Sequence, residues 1–263
     1  MRNFIYLFIL ANAFLNANCV DTPEELEQWV ASFPTQDYII CDIPHQGRFY
    51  VEPYRHDTIK NVLRAGQQWE PYILDIISQY AIPGTVVLDI GSHIGTFTIP
   101  MSHTVGESGT VYAFEPQRKL YRELRKNCEL NDAQNVVCHQ IAIGDQAQIV
   151  EMDIETYPGS EGSTSIGQGG DIAEMRTIDS FHLTNVSFVK IDVERTEEQV
   201  LDGMVDTILQ NKPVIIIELQ GGYLWETAPL EIRQKMTNSI KKLETLGYTV
   251  SRLYQHDYLA LPL

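Results

Sequence analysis

Basic residues are scarce in this chain: 19 Lys and Arg stand against 35 Asp and Glu, for a formal net charge of −16. A polyanion such as nucleic acid, or an anionic membrane surface, repels a chain of that charge. No Lys/Arg-rich tract offers a local exception, because the densest stretch, Arg118 to Arg125, is interrupted by Glu123 and apolar residues. Nucleic-acid chemistry lacks its motifs as well. There is no Pro-Cys pair for a C5-cytosine nucleophile and no Asn/Asp-Pro-Pro-Tyr/Phe run for exocyclic amines. Cysteine is sparse: Cys19, Cys41, Cys128 and Cys138 include no Cys-x-x-Cys pair, which argues against a zinc or thioredoxin-type site and leaves them to pack as small apolar residues. No cluster of His and acid ligands has metal-binding spacing, so no metal is expected. The apolar run among the first residues is too short to span a bilayer, no other stretch is apolar enough to do so, and there is no internal repeat.

What remains suits one α/β domain with a modest extension: 263 residues, 44% of them hydrophobic, are enough for a sizeable core. Met1 to Ala17 carries Arg2, then the apolar run Phe4 to Leu10, then small residues at Ala11-Asn12-Ala13 and Leu15-Asn16-Ala17. This resembles a secretory signal peptide over residues 1–17; a short membrane-associating helix and an ordinary buried helix also fit. A signal peptide would place the chain in the ER or Golgi lumen or outside the cell, and its absence in the cytoplasm. One sequon, Asn185-Val186-Ser187, falls where a buried strand is expected to begin.

Residues 22–83 are expected to form an N-terminal cap: a helix from Asp21 to Val30, short extended runs over Ile39 to Val51, and helices over Thr58 to Ala65 and Gln68 to Tyr80. Pro83-Gly84 punctuates the entry to the main unit, residues 84–263, in which strands and helices alternate as in a parallel sheet with crossover helices. Strands are expected at Val86–Asp89, Thr110–Phe114, Val136–Ile143, Ser187–Val193 and Pro213–Leu219. Helices are expected near Ile94–His103, over Gln117–Leu130, after Val193 and over Leu230–Leu246. Thr249–Tyr254 and Tyr258–Leu261 suit an antiparallel edge pair. The Gly- and Ser-rich stretch 157–170 is expected to be a mobile loop, either a lid over a pocket or a passive excursion.

The most telling stretch is Thr85 to Phe97. A β-branched run ends in Asp89, and a turn bearing Gly91 and Gly95 leads on toward a helix. In an open parallel sheet ligands sit at the carboxyl ends of the strands, where glycines let backbone approach the ligand and a helix start offers free N–H groups. Glu115 closes the second strand, where an acid is placed to accept both ribose hydroxyls of an adenosine. NAD and S-adenosylmethionine share that adenosine. Asp89 beside the turn disfavours a pyrophosphate and suits an ammonium and a sulfonium, so the turn favours S-adenosylmethionine.

Six segments carry a more specific likeness: Val87 to Gly95, Ala113-Phe114-Glu115-Pro116, Asn127 to Asn131, Ala142-Ile143-Gly144-Asp145, Thr177-Ile178-Asp179 and Lys190 to Glu194. In order and spacing they resemble the FkbM-type methyltransferases over roughly residues 65–261, with Trp69-Glu70 also similar. The resemblance implies a class I, Rossmann-like methyltransferase fold, with a mostly parallel seven-stranded sheet, helices on both faces and an antiparallel C-terminal edge. It also implies methylation by S-adenosylmethionine, generally of a hydroxyl on a sugar or natural product. By the same resemblance Asp89, Gly91, Ser92 and Gly95 hold the cofactor turn, Glu115 the ribose, and Ile143 and Asp145 the surroundings of adenine. Lys190, Asp192 and Glu194 match the motif facing the substrate, and Glu197 a later acid. Two departures stand out: Ser92-His93 in place of the usual Ala-Asn, and Arg195-Thr196 in place of Gly-Ala.

Methyl transfer from a sulfonium is an in-line displacement, so the enzyme has to align three atoms and take up a hydroxyl proton. Asp192 or Glu194 is the candidate base with Lys190 orienting it; a structural ion pair is the plainer alternative. Glu218, Arg195, Tyr223 and Trp225 are candidates for contact with a small-molecule or glycan acceptor, and His93 is a weaker candidate base. The competing readings are a cofactor-fold binding protein without turnover and an NAD-dependent oxidoreductase.

Overall fold

The computed structural model describes residues 22–54, 57–153, 161–167, 169–219 and 227–263. The amino-terminal residues up to 21, and with them Cys19 and the signal-like segment, lie outside the described residues. Helix α1 (Pro23–Ala31) starts at a capping box in which Thr22 and Glu25 satisfy each other's backbone N–H. Strands β1 (Ile39–Ile43) and β2 (Gly47–Val51) form an antiparallel hairpin, and helices α2 (Thr58–Arg64) and α3 (Pro71–Tyr80) follow. The next elements are β3 (Val86–Ile90), α4 (Thr98–Val105), β4 (Thr110–Phe114), α5 (Arg118–Leu130) and β5 (Val136–His139). Short strands β6 (Ile141–Ile143), β7 (Gln148–Asp153), β8 (Ser165–Ile166) and β9 (Ile172–Arg176) precede β10 (Val186–Ile191). The chain ends with α6 (Glu197–Asp202), α7 (Val205–Asn211), β11 (Val214–Glu218), α8 (Leu230–Thr245), β12 (Tyr248–Tyr254) and β13 (Asp257–Pro262).

Seven strands make the main sheet in the order β12-β13-β11-β10-β3-β4-β5. The five from β5 to β11 are parallel, and β13 runs antiparallel between β11 and β12. This is the expected architecture, antiparallel edge included. Alternation along the buried strands sends successive side chains to opposite faces. Leu88, Val189, Ile215 and Ile217 pack with α6, α7 and α8, whereas Val87, Phe188 and Ile216 pack with α3 and α4. Strand order reverses between β3 and β10, which places the ligand crevice at their carboxyl ends. The hairpin and α2 pack on α5 through Ile43, Phe49, Val51 and Leu63 against Leu120, Leu124 and Cys128.

The expected third strand, Val136–Ile143, is two strands. β4 offers partners only as far as Phe114, opposite His139, so the chain beyond must find another neighbour for its backbone groups. It finds β9, pairing in parallel from Ile141 to Ile143, in a second, four-stranded sheet of order β6-β9-β7-β8. The described part of the stretch expected to be a mobile loop is therefore structured: Ser165 and Ile166 pair with Asp153 and Met152. The first helix after the glycine turn begins later than expected, at Thr98, because Gly91 and Gly95 both hold positive φ and the turn between them is closed by Gly95 N–H donating to Ser92 O.

Candidate active site

The turn after β3 is built to let two strand ends meet. A Cβ added to Gly91 would lie 1.8 Å from the backbone oxygen of Asp192, so only glycine allows β3 and β10 to leave the sheet this close together. The N–H groups of Gly91 and Ser92 both donate to Phe114 O, and Ser92 Oγ donates to Asp89 O at 2.7 Å. Asp89 lies behind the turn, accepting the Thr98 hydroxyl on one oxygen while the other, buried, has no partner among the described protein atoms. Burial pushes its carboxyl up to about 6 against the pull of Lys190. Glu115, also buried, accepts from His93 N–H on one oxygen and from Gln117 N–H on the other, both at 2.9 Å. Two backbone donors leave a carboxylate further lone-pair sites for two hydroxyls. Burial raises this carboxyl to about 8, with the two backbone bonds opposing the rise.

In front of the turn is a cavity of about 380 Å³, inside the range of about 300–1,000 Å³ usual for small-ligand sites. One end is apolar, with Phe114, Ile141, Ile143, Met152 and Ile166 in its wall. The other end carries carboxyl groups: Glu70, Asp192, Glu194 and Glu218 line it, and among the described lining residues there is no Lys or Arg. Lys190 lies just behind, its Nζ 2.7 Å from Asp192 Oδ2 and 4.8 Å from the centre of the Phe97 ring. The lysine holds the Asp192 carboxyl below the usual carboxylate range despite burial. Its neighbours go the other way. Burial and the charge of Asp192 raise Glu194 to about 7, and burial, with the hydrogen-bonded Asp192 beside it, raises Glu218 well above its ordinary value. Glu70, left-handed at φ 42 just before Pro71, is raised to about 7 by burial and by Asp257.

The residues expected from sequence divide into four groups. Gly91, Glu115, Ile143, Asp192, Glu194 and Glu218 line the cavity together. Asp89, Ser92, Gly95 and Lys190 stand behind the lining and shape it: Asp89 and Ser92 brace the turn, and Lys190 holds Asp192. Asp145 and Arg195 lie elsewhere. Asp145 is exposed, because Gly144 carries the chain off into the second sheet. Arg195, in the left-handed region at φ 68, borders a separate small cavity with Glu197, Leu219 and Met236. Tyr223 and Trp225 are outside the described residues. Sequence reasoning had no place for Gln117, Gln255 and His256, which line the cavity; Gly162 to Ile166, which line it too, belong to the 157–170 stretch that the sequence offered as either a lid over a pocket or a passive excursion. The strand-end rule reaches only the parallel strands, whereas these residues come from a helix start, an insertion and the β12–β13 turn. His93 also lines the cavity; burial lowers its imidazole to about 4, and neither ring nitrogen has a hydrogen-bond partner among the described residues.

The family described as Methyltransferase FkbM domain matches residues 89–250. A relative named Methyltransferase 1, from Beauveria bassiana (strain ARSEF 2860), is 24% identical over an alignment of 176 residues, and the match covers 55% of this chain and 70% of the relative. A solved structure of Methyltransferase FkbM from Methylobacillus flagellatus KT is 16% identical, with a TM-score of 0.47 over 77% of this chain and 53% of that one. A second, Precorrin-6y C5,15-methyltransferase from Geobacter metallireducens GS-15, is also 16% identical, with a TM-score of 0.47 over 84% of this chain and all (100%) of that one.

Proposed function

From the premise that the chain belongs to the FkbM methyltransferase family and is an S-adenosylmethionine-dependent methyltransferase, we propose that it methylates a hydroxyl oxygen of a glycan or small metabolite. The residues present fit the donor. The apolar end of the cavity suits adenine, Glu115 keeps acceptor capacity for ribose hydroxyls, and the carboxyl end suits an ammonium and a sulfonium. Bound there, S-adenosylmethionine supplies an electrophilic methyl group on a good leaving group. The observation that carries the choice of acceptor is the carboxyl end itself. Glu70, Asp192, Glu194 and Glu218 can accept hydrogen bonds from hydroxyls, while a phosphate or carboxylate in the acceptor would meet them with no Lys or Arg among the described lining residues to offset its charge.

Within that end, we assign the proton transfer to Glu194. A base works best with its pKa near the working pH. Glu194 at about 7 meets that condition, whereas Lys190 holds Asp192 ionised well below it. Asp192 then serves as a fixed negative charge 2.7 Å from the Lys190 ammonium, hydrogen-bonded to the Glu218 carboxyl, which burial raises well above its ordinary value. Two measurements test this reading. Calorimetry with S-adenosylhomocysteine, followed by a methyl-release assay over a panel of sugars and metabolites, is expected to show binding and then transfer to a hydroxyl. Binding with no transfer to any acceptor would favour a cofactor-fold protein without turnover. With an acceptor in hand, Glu194→Gln is expected to keep cofactor binding and lose about 10²-fold or more in single-turnover rate. The wild-type rate should rise with pH through about 7 as Glu194 ionises. An undiminished rate in Glu194→Gln would remove the residue from the chemistry.

A further inference from the structure

Away from the carboxyl end, five charged side chains are packed together beneath the cavity wall. Lys60 of α2, fully buried, brings its Nζ 2.6 Å from Glu161, 2.8 Å from Glu123 and 3.1 Å from Glu52. Lys119 of α5 lies 2.6 Å from both Glu161 and Glu52. The two oxygens of Glu161 are thus taken by different lysines. Its backbone is held as well: the N–H donates to Asp57 Oδ2 at 2.9 Å, and the carbonyl accepts from Gln117 Nε2 at 2.9 Å and from Thr164 Oγ1 at 3.0 Å.

Residues Gly162 to Ile166, immediately after Glu161, line the cavity. Ser165 and Ile166 are held by pairing with β7, and Ile166 also packs against the cluster that includes Val150 and Met152, whereas Gly162, Ser163 and Thr164 bring small side chains and follow directly on Glu161. Gly162 is also close to the cofactor turn, since a Cβ added to it would lie 3.3 Å from His93 Cδ2. Buried charges are a costly way to gain stability, because apolar residues of similar volume often stabilise as well or better; what an ion cluster provides is one fixed geometry. Here the fixed geometry is that of a ligand-facing wall.

We propose that Lys60 and Lys119 are positioning residues that hold the 161–166 segment against the S-adenosylmethionine site by gripping Glu161, and so set the affinity for the cofactor. This rests on the assignment of the cavity to S-adenosylmethionine. Neither lysine lines the cavity, and the residues that do remain unchanged in the variants that test the idea.

The test is calorimetric titration of the full chain with S-adenosylhomocysteine, alongside thermal denaturation and hydrogen exchange of residues 161–166. Glu161→Gln and Lys119→Met are expected to weaken binding about tenfold, the scale of one charge-assisted bond, and to speed exchange in the segment. Lys119→Arg should restore most of the affinity. Glu123→Gln removes the carboxyl that pairs with Lys60 at 2.8 Å and with Lys119 at 3.6 Å but leaves both lysines their contacts with Glu161, so binding should stay within about threefold of wild type even where melting falls. A purely structural role predicts instead that affinity follows melting temperature across all the variants. That pattern, or wild-type affinity in both Glu161→Gln and Lys119→Met, would overturn the proposal. Should Glu161→Gln not fold, Lys119→Met decides alone, its lysine being 34% exposed and easier to replace. A wild-type chain that does not bind S-adenosylhomocysteine would sink the cofactor assignment itself, a result distinct from any difference among variants.

Discussion

His93 is the residue whose surroundings leave most unexplained by protein contacts alone. It is 7% exposed, it lines the cavity, and both ring nitrogens lack a hydrogen-bond partner among the described residues. Burial keeps it neutral by lowering the imidazole to about 4, so at physiological pH it offers one donor and one acceptor to whatever fills the cavity. An unsatisfied buried polar group destabilises the empty protein, and a bound ligand that pairs with it recovers that loss. Replacement by phenylalanine is therefore expected to leave the melting temperature unchanged or higher while weakening S-adenosylhomocysteine binding about tenfold. Unaltered affinity would assign the imidazole to packing alone. A catalytic proton transfer by His93 fits the structure poorly, because a group titrating near 4 is a weak base at neutral pH. Sequence could raise the histidine as a candidate because it sits on the cofactor turn, where it departs from the family's pattern; its isolation from other polar groups is a property of packing that no pattern of residue types conveys.

Among the elements, the main sheet was legible and the second sheet was not. Val86–Ile90, Thr110–Phe114, Val186–Ile191 and Val214–Glu218 are short β-branched runs between turn residues, and buried parallel strands need little more to be recognised. The insertion from β6 to β9 has no such signature. Its strands are short, Gln148–Asp153 is partly exposed, and Ser165–Ile166 spans only two residues, so their identity depends on pairing rather than on local propensity. Glycine contacts show how the insertion is docked. A Cβ on Gly203, just after α6, would lie 1.9 Å from the carbonyl oxygen of Gly144, just after β6. Gly203→Ala must push the two elements apart at a contact between backbones, where no side chain can give way. The expected cost is about 2–3 kcal/mol, read as a lower midpoint in urea, together with weaker S-adenosylhomocysteine binding because β6 carries Ile143 into the cavity wall. A variant with wild-type stability would mean that the insertion can shift on the main sheet without loss.

Across the whole molecule, the acidic balance that first argued against polyanionic partners has a second consequence. Several buried or half-buried carboxyls have raised pKa values: Asp89 at about 6, Glu70 and Glu194 (both half-buried) at about 7, Glu115 and Glu197 at about 8. Between the unfolded-chain value, about 4, and these folded values, the native protein holds protons that the unfolded chain has released. Stability therefore falls as pH rises through that window, by up to about 1.4 kcal/mol per unit for each group still protonated. His93 and His139, lowered by burial, act in the opposite sense but only up to about 6.5, where the unfolded histidines lose their protons. Carboxyls held low by lysines, Glu52, Glu161 and Asp192, contribute stability that is lost only in acid, below this window. The protein without ligand should accordingly melt at least about 5 °C lower at pH 8 than at pH 5.5. The cofactor extends the prediction, since S-adenosylmethionine carries a sulfonium charge that S-adenosylhomocysteine lacks. As Glu70 and Glu194 ionise beside it, the extra rise in melting temperature given by S-adenosylmethionine over S-adenosylhomocysteine should grow from pH 5.5 to pH 8. Equal rises at both pH values would show that the carboxyl end of the cavity does not face the sulfonium, and would move the methyl-transfer end of the site away from Asp192 and Glu194.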